Sequence, residues 1–544
     1  MIFVFLSNTL IYLTFIGFAH LYLNFTKKKY KEIKNLDTFY GIVLLIIISI
    51  FFNFFIEIRL IQLLIIIFGI TLFISCLIKK KVKINFFYIL PVIFITSYIS
   101  FYSNYNVDSP MYHLQILKWQ TEYKTVLGIS NLEIRFGDNS TWHSLVSITD
   151  INFNNFSTKY FLSSVIISIA IYEIFNNFKT YTLNHFFLNF SFIILFFFSL
   201  IHPFKNGPIL NHLGNPDLDI VPMTMFLISI FILIKFYEEK NKELFQLYIF
   251  CAFFCVTSRI IYLPLIIPII YHYTSTKNIN NFNFYFLSFG GSLWLIKSFL
   301  NSGCLIFPYK FTCLNVNWSP GKENIKYHLN EVMSYSRDGP FRSKYKDFDY
   351  TLNSLDWFYP WINNYYLESA FLILFSLIIL VSFVIILLGN LIKRKPQFVQ
   401  FREYKVIIFI LLITFTIWFS APEIRLGIGV LLALPAFLFT YSLNKYFYNY
   451  VKKFYNYASI IFFIIFSLFF IKNFNLFLFN NFLSIPDKIH DYRDINKLGN
   501  FDGYDIFVSN SWKCADFKKI CVNKPKQNYN FTEKLGYTII LNEN

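Results

Sequence analysis

The chain has 544 residues, of which 56% are hydrophobic and only 15% are charged, and its formal net charge is +17. A water-soluble domain carries about a quarter charged residues, so this composition excludes a soluble globular protein. The apolar residues occur in blocks of about 20, the length at which an α-helix crosses the hydrocarbon core of a membrane. Blocks such as FYGIVLLIIISIFFNFF lack the alternation of a membrane β-barrel, so we predict an all-α bundle of transmembrane helices.

Taken in chain order, the apolar blocks predict about 13 to 14 transmembrane helices within residues 1–473. They lie near residues 3–24, 38–56, 60–78, 84–103, 159–176, 184–201, 219–236, 244–257, 260–273, 282–300, 366–388, 405–420, 426–442 and 457–473. The blocks 244–257 and 260–273 are short and are separated by Arg259. They could instead form one broken helix, which would invert the topology of every later span.

Positive charges are concentrated in alternate loops between the predicted spans. The loops KKKYKEIK, KKKVK, KFYEEKNK, KRKPQFVQFREYK and NKYFYNYVKK fall on one side, and the other short loops are poor in Lys and Arg. Lys and Arg accumulate on the cytoplasmic side of membrane proteins, so the net charge reports topology and indicates no nucleic-acid partner. In an inner membrane, the long segments 104–158 and 302–365 and the C-terminus are then extracytoplasmic.

The C-terminal residues 474–544 are predicted to form a small extracytoplasmic domain. Apolar periodicity stops there, and YDIFVS and GYTIILN are typical of short strands bounded by turns, although a disordered tail is the alternative. Four of the 7 cysteines lie in the predicted outer segments. Cys304 with Cys313 and Cys514 with Cys521 could be disulfides in an oxidising compartment, or all four could be unpaired thiols.

Polar residues are densest just after the fourth span. Asp108 lies where a helix leaves the membrane and is followed by Tyr112 and His113. A carboxylate at this boundary can act as a general base or bind a divalent cation, because the low local dielectric strengthens its electrostatics. Alternatively, Asp108 caps the helix that SPMYHLQILKWQTEY could form, with Pro110 in its first turn.

A second polar group follows in the same segment and contains Glu133, Arg135, Asp138 and His143. These side chains could bind a substrate. They could equally form an ion-pair network within the loop, which is a common role for charged loop residues.

The string DSPMYHLQILKWQTEYKTVLGISNLEIRFGDNSTWHSL resembles an uncharacterised family of bacterial polytopic membrane proteins that looks related to the C-type (GT-C) glycosyltransferases. The strings GNPDLDIVP, TSRIIYLPL, NSGCLIFPYKFTCLNVNW and APEIRLGIG extend the resemblance to about residues 104–430. It implies a helical bundle with an acidic residue in the first large outer loop, the position of Asp108. The wider superfamily implies transfer of a sugar from a polyprenyl-phosphate carrier to an extracytoplasmic acceptor. This loop has one such Asp where the superfamily has paired acidic residues.

Three further sites fit a lipid-linked donor. Asp217 and Asp219 precede a span and could line the same cavity, or they could cap the helix. Arg259 lies beside an apolar span, where an unpaired charge costs at least about 2.5 kcal/mol, so it needs a partner or a cavity. Arg425 offers paired donors to phosphate oxygens, with local pairing to Glu423 as the alternative.

Two functions from different classes follow from these features. The first is a membrane glycosyltransferase that uses a polyprenyl-phosphate-linked sugar donor, with Asp108 as base or metal ligand and Arg425 bound to the donor phosphate. The second is a transporter or flippase of a lipid-linked glycan. Internal repeats, which are typical of transporters, are not visible in the sequence. Both functions make membrane lipid and an extracytoplasmic glycan or other acceptor the expected partners.

Overall fold

The computed structural model describes residues 1–26, 32–103, 108–153, 156–176, 181–201, 211–276, 280–338, 349–363, 369–391, 401–474, 494–511, 513–515, 517–523, 526 and 528–542. Most of them are helical. The described helices are α1 Ile2–Thr26, α2 Thr38–Asn53, α3 Gln62–Ile78, α4 Phe86–Tyr102, α5 Leu114–Glu122, α6 Thr141–Thr149, α7 Leu162–Asn176, α8 Leu183–Ile201, α9 Ile220–Glu239, α10 Lys242–Ser258, α11 Ile267–Thr276, α12 Asn281–Ser302, α13 Lys322–Asp338, α14 Phe358–Trp361, α15 Ala370–Leu391, α16 Phe401–Phe419 and α17 Ile424–Phe474.

Every predicted span coincides with helical chain, and the last two belong to α17, which is interrupted by non-helical backbone at Phe447. Five helices in the described chain are long and apolar enough to cross a membrane, and these are Ile2–Thr26, Asn35–Asn53, Ile220–Glu239, Phe371–Leu391 and Ile424–Lys453. Six more apolar helices are shorter. The protein is therefore mostly α-helical with apolar helices that can span a membrane, and the larger number of spans stays a prediction.

The helices differ in how much of their apolar surface the bundle covers. In α9, 94% of the most apolar stretch is buried, whereas in α15 only 22% is buried. Side chains of α15 such as Leu377, Leu380 and Phe383 are exposed. Exposed apolar side chains along a helix indicate an interaction surface. On a polytopic membrane protein, such a surface is expected where a helix faces lipid. The α9 helix thus lies in the core and α15 lies at the periphery.

The chain reverses direction at Arg259. Its backbone there is extended, and a 3-10 helix over Ile260–Ile266 leads into α11. The Tyr248 hydroxyl donates to the carbonyl of Leu265 at 2.6 Å, so residues on either side of Arg259 run alongside each other. This antiparallel arrangement excludes the alternative in which residues 244–273 form a single broken helix.

The two ends of the bundle collect different loops. At one end, Ile33 forms a bridge with Val82, which brings together two loops predicted to be cytoplasmic. At the other end, Leu127 forms a bridge with Ile539, and the amide of Asn542 donates to Asn317 at 3.0 Å. The three segments predicted to be extracytoplasmic therefore pack against one another. Which end faces the cytoplasm stays a prediction.

The described strands are β1 Asn152–Phe153, β2 Phe156–Ser157, β3 Ile495–Phe501, β4 Tyr504–Ser509, β5 Ile520–Val522, β6 Asn530–Lys534 and β7 Tyr537–Leu541. The first two lie in the first outer segment and the other five in the tail, where the predicted strands YDIFVS and GYTIILN form β4 and β7. In the tail, β4 pairs with antiparallel β3 and with parallel β5, while β6 and β7 form a hairpin. Both predicted disulfides are formed, and the other three cysteines are buried.

The tail shares an apolar core with the first outer segment. From that segment, Ile116, Trp119 and Leu132 contribute, and from the tail Ile506 and Phe531 contribute. A domain of this size buries only a modest core of its own, so docking supplies the remaining burial. The tail is thus folded against the helical segment that follows Asp108.

Candidate functional site

Asp108 begins a wide helical turn at the end of the bundle. The turn Ser109–His113 is π-helical, a form that recurs at functional sites, and it continues into α5. Asp108 has helical backbone angles and its side chain makes no capping hydrogen bond. Its Oδ2 instead accepts a hydrogen bond from Arg425 Nη1 at 2.9 Å. The capping interpretation of Asp108 was therefore wrong.

Arg425 is held between two carboxylates. Besides the bond to Asp108, its Nε donates to Glu423 Oε1 at 3.2 Å. The indole N–H of Trp418 donates to the Glu423 carbonyl at 2.8 Å and fixes the turn. Burial raises the pKa of Glu423, and the Arg425 charge opposes that rise. The local pair with Glu423 and the long-range pair with Asp108 are thus both present.

Arg259 joins a third carboxylate to this turn. Its Nη2 lies 3.1 Å from Asp219 Oδ1, and its Nη1 donates to the carbonyl oxygen of Arg425 at 3.2 Å. Asp219 precedes α9 without making a side-chain capping bond, so capping was the wrong interpretation here also. The sequence required a partner for Arg259, and Asp219 is that partner.

Two histidines, His113 and His143, contact each other near the arginines. His113 Nδ1 and His143 Nε2 are 3.1 Å apart, and both side chains are buried. Burial lowers the pKa of His113 to about 3, Asp219 opposes this shift, and the charges of Arg259 and Arg425 add to it. His113 is therefore neutral at physiological pH and contributes as a hydrogen-bonding group rather than as a cation.

Arg135 and Asp138 complete the site without forming an ion pair. Arg135 lies over the Tyr112 ring, with 5.4 Å from its guanidinium carbon to the ring centre. Burial raises the pKa of Asp138 to about 6, and the charges of Arg135 and Arg259 oppose the rise. Within the described chain, no contact of 4.0 Å or less joins the charged groups of Arg135 and Asp138. The expected loop ion pair between these two residues is therefore not formed.

The loop that carries Asp138 is fixed by its neighbours. The Asn139 amide donates to the Trp294 carbonyl at 2.7 Å, and the Trp294 indole donates to the Asn139 carbonyl at 2.7 Å. The next residue, Ser140, accepts from the Trp142 amide at the start of α6 and donates to the Ser258 carbonyl at 3.0 Å. The reversal at Arg259 and the loop at Asp138 are thereby held together.

The ion pairs of this group do not include Asp217 in the described chain. Asp217 is buried, and the adjacent Pro216 accepts a hydrogen bond from the Trp142 indole at 3.1 Å. In the part of the chain that the structure describes, no ion pair joins Asp217 to Arg259 or Arg425. The shared cavity that the sequence suggests for Asp217 and Asp219 therefore stays a prediction.

Sequence reasoning missed the contribution of the tail. The loop closed by the Cys514–Cys521 disulfide lies against α5, where Gln115 donates to Ala515 at 3.0 Å. Lys118 donates to two carbonyls of the same loop, at 2.9 and 2.8 Å. The only signal was the spacing of Gln115 and Lys118, which places both on one face of α5. We call this arrangement, loop 514–521 on α5, the tail clamp.

No metal site accompanies these residues in the part of the chain with described coordinates. There, no group of three or more His, Cys, Asp or Glu side chains is placed to hold an ion. The described side chains therefore supply no ligand set for the divalent cation considered from the sequence.

A model of a protein family, described as a domain of unknown function (DUF8201), matches residues 1–432. The chain belongs to this family. The matched region contains the bundle up to α17 and both buried ion pairs, from Asp108 to Arg425. Comparisons with curated proteins and with solved structures gave no significant match.

Proposed function

We propose that this family member is a GT-C-like glycosyltransferase of the bacterial inner membrane. It would transfer a sugar from a polyprenyl-phosphate-linked donor to an envelope glycan or another acceptor at the outer face. One observation carries the proposal: Asp108, Asp219, Arg259 and Arg425 come from distant parts of the chain and meet in two linked, partly buried ion pairs.

The position of these residues suits a lipid-linked substrate. Asp108 follows α4, Asp219 precedes α9, Arg259 follows α10, and Arg425 lies in the first turn of α17. All four therefore lie at helix ends, where the apolar bundle meets polar segments. A polyprenyl phosphate likewise joins an apolar part to a polar one, because its chain is apolar and its head group is charged.

The arginines can stabilise the leaving group of the transfer. In the reaction, an acceptor hydroxyl gives its proton to a carboxylate of the site and attacks the anomeric carbon. The bond from that carbon to the phosphate oxygen breaks, and the phosphate leaves with the electron pair. A guanidinium offers paired donors to such oxygens, and fixed positive charge lowers the energy of the developing anion. Arg425 is the first candidate because two carboxylates already orient it. Asp108 is needed in this proposal because its carboxylate orients Arg425.

The core helix α9 lacks charged residues along its length, which favours a transferase over a transporter or flippase. Residues 220–234 in the core helix α9 contain no Asp, Glu, Lys, Arg or His. The ionisable groups of this helix lie at its ends, with Asp219 at one end and Lys235 at the other. Charged groups that line a transport pathway are expected within the depth of a bundle.

The proposed outer location has support from both disulfides, because disulfides persist in oxidising compartments. Labelling with a membrane-impermeant maleimide in intact cells tests it. Leu535 in the tail is 90% exposed, so the cysteine of the variant Leu535→Cys should be labelled. The cysteine of the variant Lys79→Cys, at the opposite end of the bundle, should be protected from the reagent. The reverse pattern would place the site in the cytoplasm.

The activity is tested with the protein in lipid nanodiscs and a panel of polyprenyl-phosphate-linked sugars, with polyprenyl phosphate release as the readout. Asp108→Asn should lower turnover by about 10²-fold at unchanged protein level, because Arg425 then loses the carboxylate that positions it. Glu57→Gln, in an exposed ion pair with Arg59, is the matched control and should keep full activity. Translocation of intact donors across vesicles without release would support the flippase instead.

A further inference from the structure

Within the described chain, one carboxyl group at the site makes no hydrogen bond or ion pair. Asp108, Asp219 and Glu423 each accept a hydrogen bond from a guanidinium. The Asp138 side chain, in contrast, makes neither a hydrogen bond nor an ion pair within the described chain. It is partly exposed, so a substrate can reach it. A carboxylate that is mostly buried and unbonded is costly, and such groups concentrate at functional sites.

The backbone around Asp138 is fixed, although its carboxyl group is unbonded. The amide of Asp138 donates to the Arg135 carbonyl at 3.2 Å, and the next residue, Asn139, is bonded in both directions to Trp294. Fixed backbone with an unbonded carboxyl group is the arrangement expected of a group that is held ready for a ligand.

Asp138 shares its surroundings with the donor-binding pair. Both Asp108 and Asp138 raise the pKa of Tyr112, so the two carboxylates act on the same ring. The charged groups that act on Asp138 are Arg135 and Arg259. Burial outweighs them and raises the pKa of Asp138 to about 6, close to the pH at which a base works best.

We propose that Asp138 binds the hydroxyl group of the acceptor and takes its proton, while Asp108 holds Arg425 against the donor phosphate. This assignment rests on the proposed glycosyl transfer. The acceptor O–H bond breaks and its proton moves to the Asp138 carboxylate. The acceptor oxygen then bonds to the anomeric carbon, and the polyprenyl phosphate departs with the electron pair. Asp138 afterwards releases the proton to solvent.

Arg135 has a complementary role in this assignment. Its guanidinium is unpaired in the described chain and is held over Tyr112. It can therefore donate hydrogen bonds to the other oxygens of a sugar acceptor. The Asp138 carboxylate accepts hydrogen bonds and the Arg135 guanidinium donates them, and the two groups are not bonded to each other. Together they fit a ligand with several hydroxyl groups.

The protonation of Asp138 can be measured without any substrate. A hydrophobic carbodiimide modifies carboxyl groups in their protonated form, and mass spectrometry locates the product. Labelling of Asp138 should be about 50-fold lower at pH 8 than at pH 6, as expected for a group that titrates near 6. Asp108, in its ion pair, should be unlabelled. Equal labelling of both residues, or no labelling of Asp138 between pH 5 and 8, would overturn the proposal.

Turnover assays separate this proposal from the proposed function. Asp138→Asn should lower kcat by about 10²–10⁴-fold while polyprenyl phosphate binding is unchanged, and Asp138→Glu should recover part of the rate. Asp108→Asn should weaken that binding. If Asp138→Asn kept wild-type kcat while Asp108→Asn lost it at full binding, Asp108 would be the base and glycosyl transfer would stand. If the wild type used none of the donors yet Asp138 was labelled as expected, transfer would be the part that fails.

Discussion

The two ends of the bundle contain ion pairs of equal length in different surroundings. At the end predicted to be cytoplasmic, Lys83 lies 3.1 Å from Glu32, with the side chains 65% and 45% exposed. At the other end, Arg259 also lies 3.1 Å from Asp219, with the side chains 16% and 11% exposed. An exposed pair contributes about 0–1 kcal/mol, whereas a buried pair costs desolvation and is weak evidence for stability. Burial, rather than distance, therefore distinguishes the candidate site.

The comparison predicts its largest effect on stability at the buried end. Arg259→Leu removes the ion pair of the largely buried Asp219, so the free energy of unfolding should fall by about 3–5 kcal/mol. Denaturation of the purified protein in detergent measures this change. The double variant Arg259→Leu with Asp219→Leu should recover most of the loss, because no charge is then stranded. If Arg259→Leu were as stable as the wild type, the buried ion pair would not differ from the exposed one in its effect on stability.

The tail clamp should have the next largest effect. Replacing Cys514 and Cys521 with Ser removes a short covalent loop, which costs about 2–3 kcal/mol in the chain-entropy estimate. We expect faster hydrogen exchange in α5, because Gln115 and Lys118 lose the ordered carbonyls that they bind. Exchange in α9, which does not contact the loop, is the internal control. Unchanged exchange in α5 would mean that the clamp does not hold the site.

A smaller effect should follow from each unit of pH. The folded-state pKa of His113 is lowered to about 3, so the native protein stays neutral there while the unfolded chain binds a proton below about 6.5. The stability contributed by His113 is therefore complete above pH 6.5 and is lost as pH falls, by about 1.4 kcal/mol per unit. The pKa of Asp138 is raised, so its effect on stability has the opposite pH dependence. Comparing the wild type with His113→Gln therefore isolates the contribution of the histidine. Equal pH slopes for both proteins would contradict the burial argument.

The smallest effect belongs to the exposed end. Lys83→Met should change the free energy of unfolding by at most about 1 kcal/mol, and high salt should abolish the difference. The same denaturation experiment measures it. A loss as large as that of Arg259→Leu would show that exposure does not separate the two ends.

The helices and the tail strands could be predicted from sequence because their signals are local. Apolar blocks mark the spans, and the short strand-like run YDIFVS between turn residues marks β4. The partners of Asp108 and Asp219 could not be predicted in this way. Their position before a helix indicated capping, whereas the arginines that bind them lie 317 and 40 residues away. Local rules were outweighed by contacts that only the folded bundle creates.

The sequence predicted which residues belong to the site, but it did not predict which of them form ion pairs. Seven of the eight proposed residues come together, because charged residues beside apolar spans need partners and find one another. The described ion pairs that link these residues do not include Asp217. The unpaired state of Asp138 was also invisible, since a sequence does not show which carboxylate each arginine selects.

The central claim is that Arg425, oriented by Asp108, binds the phosphate of a lipid-linked donor. Binding of polyprenyl phosphate to the protein in nanodiscs tests it for every sugar at once, with uncharged polyprenol as the matched probe. Arg425→Lys keeps the charge and removes the paired donors, so we expect at least about tenfold weaker binding of the phosphate and no change for polyprenol. Equal affinity of wild type and Arg425→Lys for polyprenyl phosphate, or equal affinity of the wild type for both lipids, would contradict the account.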